Sequence, residues 1–238
     1  MSTNAEFGDL SQAAAEYGLS RRRMVTVVTE AAADVSTLRV AACPAWTVKD
    51  VFSHVTGIAV DLVAGRFPEG DTQAWVDRQV EERRDRSLDE VIDEWSRVAN
   101  DFESMIAQRP QRWWGLTYDT VVHEHDVRTA LGVGGERSSS GVELAARLGL
   151  RLVAADLAAR DLGAVEVVID DESFRVGEGQ PHVTVTGTSF EILRTLGSRR
   201  TFDEIRSLVS DGDLDAVIAG VLHMEPPESS LGEQHLGS

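Results

Sequence analysis

The chain has 238 residues, 42% of them hydrophobic, and a formal net charge of −17. That is enough apolar material for one large or two small cores, and the acidic balance excludes a surface that draws its affinity from phosphates, so no nucleic-acid partner is expected. No run approaches the ~20 apolar residues of a membrane span, no export signal opens the chain, and the single cysteine, Cys43, cannot form an internal disulfide, so a cytoplasmic location is expected.

Residues 1–8 read as a mobile tail. From Leu10 to about Asp34 the pattern is helical. Cys43-Pro44-Ala45-Trp46 is a non-helical lead-in to a second helix. Thr47 caps that helix with Asp50 at its third position. Val48, Val51, Phe52, Val55, Ile58, Ala59 and Leu62 then recur at helical spacing, and His54 lies at the edge of that stripe. Gly65 to Gly70 breaks the pattern. Ser87-Leu88-Asp89-Glu90 opens an amphipathic helix running through Leu88, Trp95 and Phe102 to Ile106, and Pro110 ends it. A further helix carries Tyr118 to Leu131, with Asp119, His123 and Asp126 on one stripe, and stops at Gly132. Ser140 to Glu143 reads as another capping box, starting a helix that reaches about Arg160.

Beyond residue 162 the periodicity changes. Ala164–Ile169 and His182–Thr186 alternate with period two, as half-buried strands do. A turn at 170–172 and a short strand at 173–176 stand between them. Helices are expected near 189–196, 202–208 and 215–222. The segment 225–238 is polar, opens with two prolines, and reads as a loose tail. The expected domains are therefore 1–162, a helical bundle, and 163–224, a small α/β domain.

Residues four apart on a helix lie one above the other, so Asp119 and His123 form a two-ligand edge. If the helix carrying His54 packs beside them, two imidazoles and a carboxylate meet, a set typical of catalytic metal sites with open positions. His125 stands about 200° around the helix from His123 and falls outside that set. His123-Glu124 lacks the second His of an HExxH motif. Asp126 can accept from a ligating imidazole or from Arg128. Cys43 reads as a small packed hydrophobe rather than a nucleophile, so sulfur chemistry would need an external thiol. Trp113 and Trp114 read as packing residues.

Several motifs resemble those of the mycothiol-dependent maleylpyruvate isomerase family, a branch of the DinB-like helical bundles. They are Cys43-Pro44-Ala45-Trp46-Thr47 through His54, Gly65-Arg66, the segment Val80 to Glu90, Asp119 to Leu131, Leu196-Gly197-Ser198-Arg199-Arg200, and Asp211-Gly212-Asp213. The resemblance implies an α+β chain with an N-terminal DinB-like four-helix bundle and a small C-terminal α/β domain. It implies a divalent metal, with zinc best suited, held by His54, Asp119 and His123. The family pattern has Glu at the position of Asp119. Mycothiol is the implied co-substrate, its metal-activated thiolate adding to a small electrophile, as an S-transferase or a cis–trans isomerase. Both reactions share that first step. Arg84, in the run Arg83 to Arg86, and Arg199 are the implied groups for orienting a substrate carboxylate. Two other readings stay open: a non-catalytic binding protein that keeps a metal in its bundle, and a DinB-like enzyme that uses another thiol.

Overall fold

Local sequence signals in the N-terminal half mark where the helices beginning at residues 48, 88 and 110 start. The computed structural model describes residues 7–68, 70–215, 218, 222, 224–233 and 236. It divides into two compact units, one spanning 11–133 and the other joining residues up to Leu10 with Gly134 onward.

The first unit contains α1 (Ala13–Thr29), α2 (Val48–Val63), α3 (Thr72–Glu81), α4 (Leu88–Gln108) and α5 (Pro110–Leu131). The capping box before α2 is complete: the Thr47 hydroxyl accepts from Asp50 N at 3.3 Å, and the Asp50 carboxylate accepts from Thr47 N at 2.8 Å. Ser87 and Glu90 repeat the arrangement before α4. Each box satisfies amide groups that a helix start leaves orphaned. Pro110 opens α5, where its missing N–H costs nothing, and Gly132 closes it at φ 67°, a left-handed position suited to glycine.

The four long helices form the bundle, with α2 packed on α4 and α1 packed on both α4 and α5. Met24, Val51, Phe52, Trp95, Phe102 and Ile106 fill its core. Trp95 donates its indole N–H to the buried Tyr17 hydroxyl at 2.7 Å, so the core's largest polar handles satisfy each other. Glu124 of α5 is fully buried and accepts two 2.8 Å bonds from Arg23 of α1 and one of 3.1 Å from Arg128. Burial pushes its pKa up, but the Arg23 guanidinium, with His125 and Ser20, outweighs that and holds it below the usual carboxylate range.

The sequence reading places no helix at α3. Its residues, TQAWVDRQVE, carry no apolar stripe; polar groups hold it to α2 instead. Asp61, buried on α2, accepts from Trp75 Nε1 at 2.8 Å and Arg78 Nη2 at 2.9 Å, and from Arg66 Nε at 2.8 Å.

The second unit holds α6 (Ser140–Arg160), β1 (Ala164–Ile169), β2 (Glu172–Gly177), β3 (Pro181–Gly187), α7 (Ser189–Leu196), α8 (Phe202–Ser207) and β4 (Val209–Gly212). The sheet order is β2-β1-β3-β4, with β1 and β3 parallel and both outer pairs antiparallel. Asp170 and Asp171, both at positive φ, make the two-residue turn between β1 and β2. The fold is thus α+β, as expected.

Four details differ from the sequence reading. The units part at Val133 and Gly134, not near residue 162, because α6 buries its apolar side against α7 and β2. Helical periodicity shows that a segment has a face to bury, not what covers it. The cap of α6 is Ser139, which accepts from Val142 N, rather than a box at Ser140 and Glu143. At the start, Phe7 is buried and its carbonyl accepts from Arg151 Nε at 2.9 Å, so this end of the expected tail is tied down. At the other end, Glu233 is 1% exposed and accepts from Arg194 and Arg200, against the loose tail expected over 225–238. The helix expected near 215–222 lies largely outside the described residues.

Among the described residues, no helix is long and apolar enough to cross a membrane.

Candidate metal centre

α2 and α5 pack side by side within the bundle and bring His54, Asp119 and His123 together. One ligand atom from each lies within 4.8 Å of the other two. His54 Nε2 stands 3.7 Å from Asp119 Oδ2, and His123 Nε2 stands 3.6 Å from Asp119 Oδ1. Both imidazoles are buried, with 7% of each side chain exposed, whereas Asp119 keeps 35% exposed. The cluster is therefore walled on the imidazole side and accessible on the carboxylate side.

The far nitrogen of each ring is engaged. His123 Nδ1 donates to Asp126 Oδ2 at 2.9 Å, and His54 Nδ1 donates to Gln79 Oε1 at 3.1 Å. A proton on Nδ1 leaves Nε2 as the lone-pair nitrogen of a neutral imidazole. Two lone pairs thus converge on one carboxylate, at spacings longer than a hydrogen bond. Ligand atoms around a tetrahedral zinc ion stand roughly 3.4 Å apart, given metal–ligand bonds near 2.1 Å. The donor set and its spacing fit a divalent cation.

The lead-in before α2 builds one side of this centre. Cys43 N donates to Val40 O and Trp46 N to Cys43 O, folding residues 40–46 into successive turns. An isolated bridge pairs Arg39 with Thr47. This loop sets Trp46 against both imidazoles, with ring centroids 5.1 Å from His54 and 6.1 Å from His123. It also brings half-buried Cys43 within ligand range of His123 and Asp126. Spacing along the chain gave no sign of that approach, because Cys43 precedes His54 by most of a helix lead-in and belongs to no periodic stripe.

Gln79 was invisible to sequence reasoning too, since its helix shows no apolar periodicity. Asp126 was legible: three residues after His123, it shares that face. His125 takes no part in the cluster.

The two arginines singled out in the sequence each have a partner of their own. Arg84 pairs with Glu81, and 70% of its side chain is exposed. Its neighbour Arg83 is the buried member of the run, gripping Glu94 through two bonds of 2.8 and 3.2 Å and donating to Gln79 O at 2.9 Å. Arg199 is buried in the second unit, where it donates to Gly197 O.

Residues 17–131 match the family model described as mycothiol maleylpyruvate isomerase N-terminal domain. These residues thus form a domain of that family's N-terminal type. No curated protein and no solved structure matches the chain. The matched span runs from α1 to the end of α5 and includes His54, Asp119 and His123. The match to this domain points to mycothiol-associated enzymes in general.

Proposed function

We propose that this protein is a metal-dependent enzyme that uses the thiol of mycothiol as a nucleophile toward a small electrophile. The observation that carries the reading is the pair of imidazoles whose Nδ1 atoms are tied off and whose Nε2 atoms converge with Asp119. His54, Asp119 and His123 would hold the cation, and the mixed nitrogen and oxygen set suits zinc. When bound, such a cation supplies Lewis acidity that brings a thiol, ordinarily near pKa ~8.5, to its thiolate at neutral pH.

The chain's own groups have distinct tasks. Asp126 fixes the tautomer and rotation of His123. Trp46 covers the imidazoles and excludes bulk water from that side, which strengthens every charge interaction beneath it. The accessible flank at Asp119 is the entry for thiol and electrophile. That open flank favours a catalytic centre over a closed structural one. Arg84 and Arg199 remain the groups proposed to orient a substrate carboxylate, and Arg84 would exchange Glu81 for it. A transferase leaves sulfur on the product; an isomerase expels it after rotation about the bond made single by addition. The thiol co-substrate and the single cysteine suit a reducing compartment, and we place the enzyme in the cytoplasm.

Metal analysis of the purified protein beside His54→Ala and His123→Ala tests the centre. Stoichiometric zinc in the wild type and its loss in both variants is the expected result; full occupancy in a variant removes that residue from the ligand set. Calorimetry of the zinc-loaded protein with mycothiol then tests the thiol. Absence of binding overturns the co-substrate assignment. Mass spectrometry of thiol adducts, after offering mycothiol with unsaturated acids and epoxides, separates transfer from isomerisation.

A further inference from the structure

α3 is the least hydrophobic helix of the bundle, yet one of its residues is wholly buried. Gln79 is 0% exposed. Its side-chain oxygen accepts from His54 Nδ1 at 3.1 Å, while its Nε2 has no hydrogen-bond partner among the described residues. A Leu or Met at this position would leave no buried donor unpaired, so packing alone does not account for the amide. Its carbonyl oxygen is what the site uses.

The surroundings hold the residue in place. Arg83, one turn further along the chain, donates from Nη1 to the main-chain carbonyl of Gln79 and grips Glu94 of α4 with two bonds. On α2, Gly57 stands one turn from His54 and leaves the space Gln79 occupies. A Cβ at Gly57 would lie 2.5 Å from Gln79 Cβ, 2.6 Å from its Cγ and 3.0 Å from Arg83 Nη1. Only a residue without a side chain lets α3 come this close. Glu94, Arg83, Gln79 and His54 thus form one continuous chain of contacts from α4 through α3 to the metal centre.

We infer that Gln79 is a positioning residue for His54: its amide oxygen fixes the imidazole as the Nδ1–H tautomer, with Nε2 turned to the cation site, and Gly57 and Arg83 set its approach. The inference builds on the proposed metal centre. It also gives the two imidazoles unequal partners, a neutral amide for His54 and a carboxylate for His123.

Long-range proton–nitrogen spectra of the metal-free, histidine-labelled protein read the tautomer directly. Wild-type His54 should show a protonated Nδ1 and a lone-pair Nε2, and Gln79→Met, which keeps volume but removes the acceptor, should show a mixture. A wild-type ring protonated at Nε2, or an unchanged tautomer in Gln79→Met, overturns the inference. Zinc affinity by chelator competition gives a second readout: about 10- to 100-fold weaker in Gln79→Met and within about threefold of wild type in Gln79→Glu, which restores an oxygen acceptor. Gly57→Ala, which touches no ligand, should weaken zinc in the same direction. A wild type that binds no zinc defeats the metal reading and leaves the tautomer result standing. Equal zinc affinity in wild type and Gln79→Met defeats the positioning role and leaves the metal centre standing.

Discussion

Each unit of this protein buries a cluster of charged and polar side chains, and the two clusters are built on opposite plans. In the second unit, Glu233 contacts Arg194 at 2.5 Å and Arg200 at 2.6 Å, and Arg200 also holds Glu191 at 2.7 Å. Acid and base touch, and each charge is answered by the chain itself. Burial drives the pKa of Glu233 up, but the paired guanidiniums overrule it and keep it below the usual carboxylate range. In the first unit, the atoms of His54, His123 and Asp119 face one another across 3.6 and 3.7 Å. A gap lined by lone pairs is a poor way to hold helices together and a good way to hold a cation. Closed clusters stabilise a fold; clusters left open toward one another point to a ligand.

The contrast can be broken most directly at Glu233. Glu233→Ala removes the acid that the buried Arg194 and Arg200 share, leaving Arg200 with Glu191, and should cost about 3–5 kcal/mol of stability in denaturant unfolding of the full chain. Zinc stoichiometry should not change. A loss below about 1 kcal/mol would mean that the cluster is not structural in this sense. Next in size is Asp126→Leu, which removes the acceptor from His123 Nδ1. It should weaken zinc about 10- to 100-fold, with no loss of the folded state by circular dichroism.

Acid titration sharpens the comparison further. Glu124 and Glu233 both have folded pKa values below the usual carboxylate range. Their contribution is therefore fully present above the unfolded value, near ~4.3, and is lost as pH falls through the lower folded values. Unfolding midpoints measured downward from pH 6 should drop in the wild type, and less steeply in Glu124→Gln, which has no such proton to take up. An acid limb unchanged in Glu124→Gln would remove that carboxylate from the account. The smallest effect belongs to Arg84→Ala: its exposed pair with Glu81 should be worth about 0.5 kcal/mol or less, and zinc affinity should not move. Any functional loss in that variant would then appear in substrate KM, the signature of a carboxylate-orienting group.

Much of the first unit is legible in the sequence because its helices advertise themselves. Thr47 with Asp50 and Ser87 with Glu90 mark two starts, Gly132 marks a stop, and the stripe through Trp95 and Phe102 shows one buried face. Asp119 and His123 could be paired from their spacing, but bringing His54 to them needs the packing of α2 on α5, which only family resemblance suggested. What escaped has a common cause. α3 is held by Asp61 and His54 through polar bonds, and hydrophobic periodicity says nothing about polar bonds. The burial of Glu233 depends on two arginines more than thirty residues away, and a polar tail with two prolines gives no sign of them. α6 was seen as a helix but assigned to the wrong neighbours, because its apolar face fits a helix partner and a sheet equally well.

Trp46 carries one more consequence. An indole this near two imidazoles is an internal optical probe, since its emission responds to any change in charge on the rings beside it. Occupancy of the centre can therefore be followed in real time without a label. Replacing the chain's other tryptophans with phenylalanine would isolate that signal and time the arrival of metal and thiol separately.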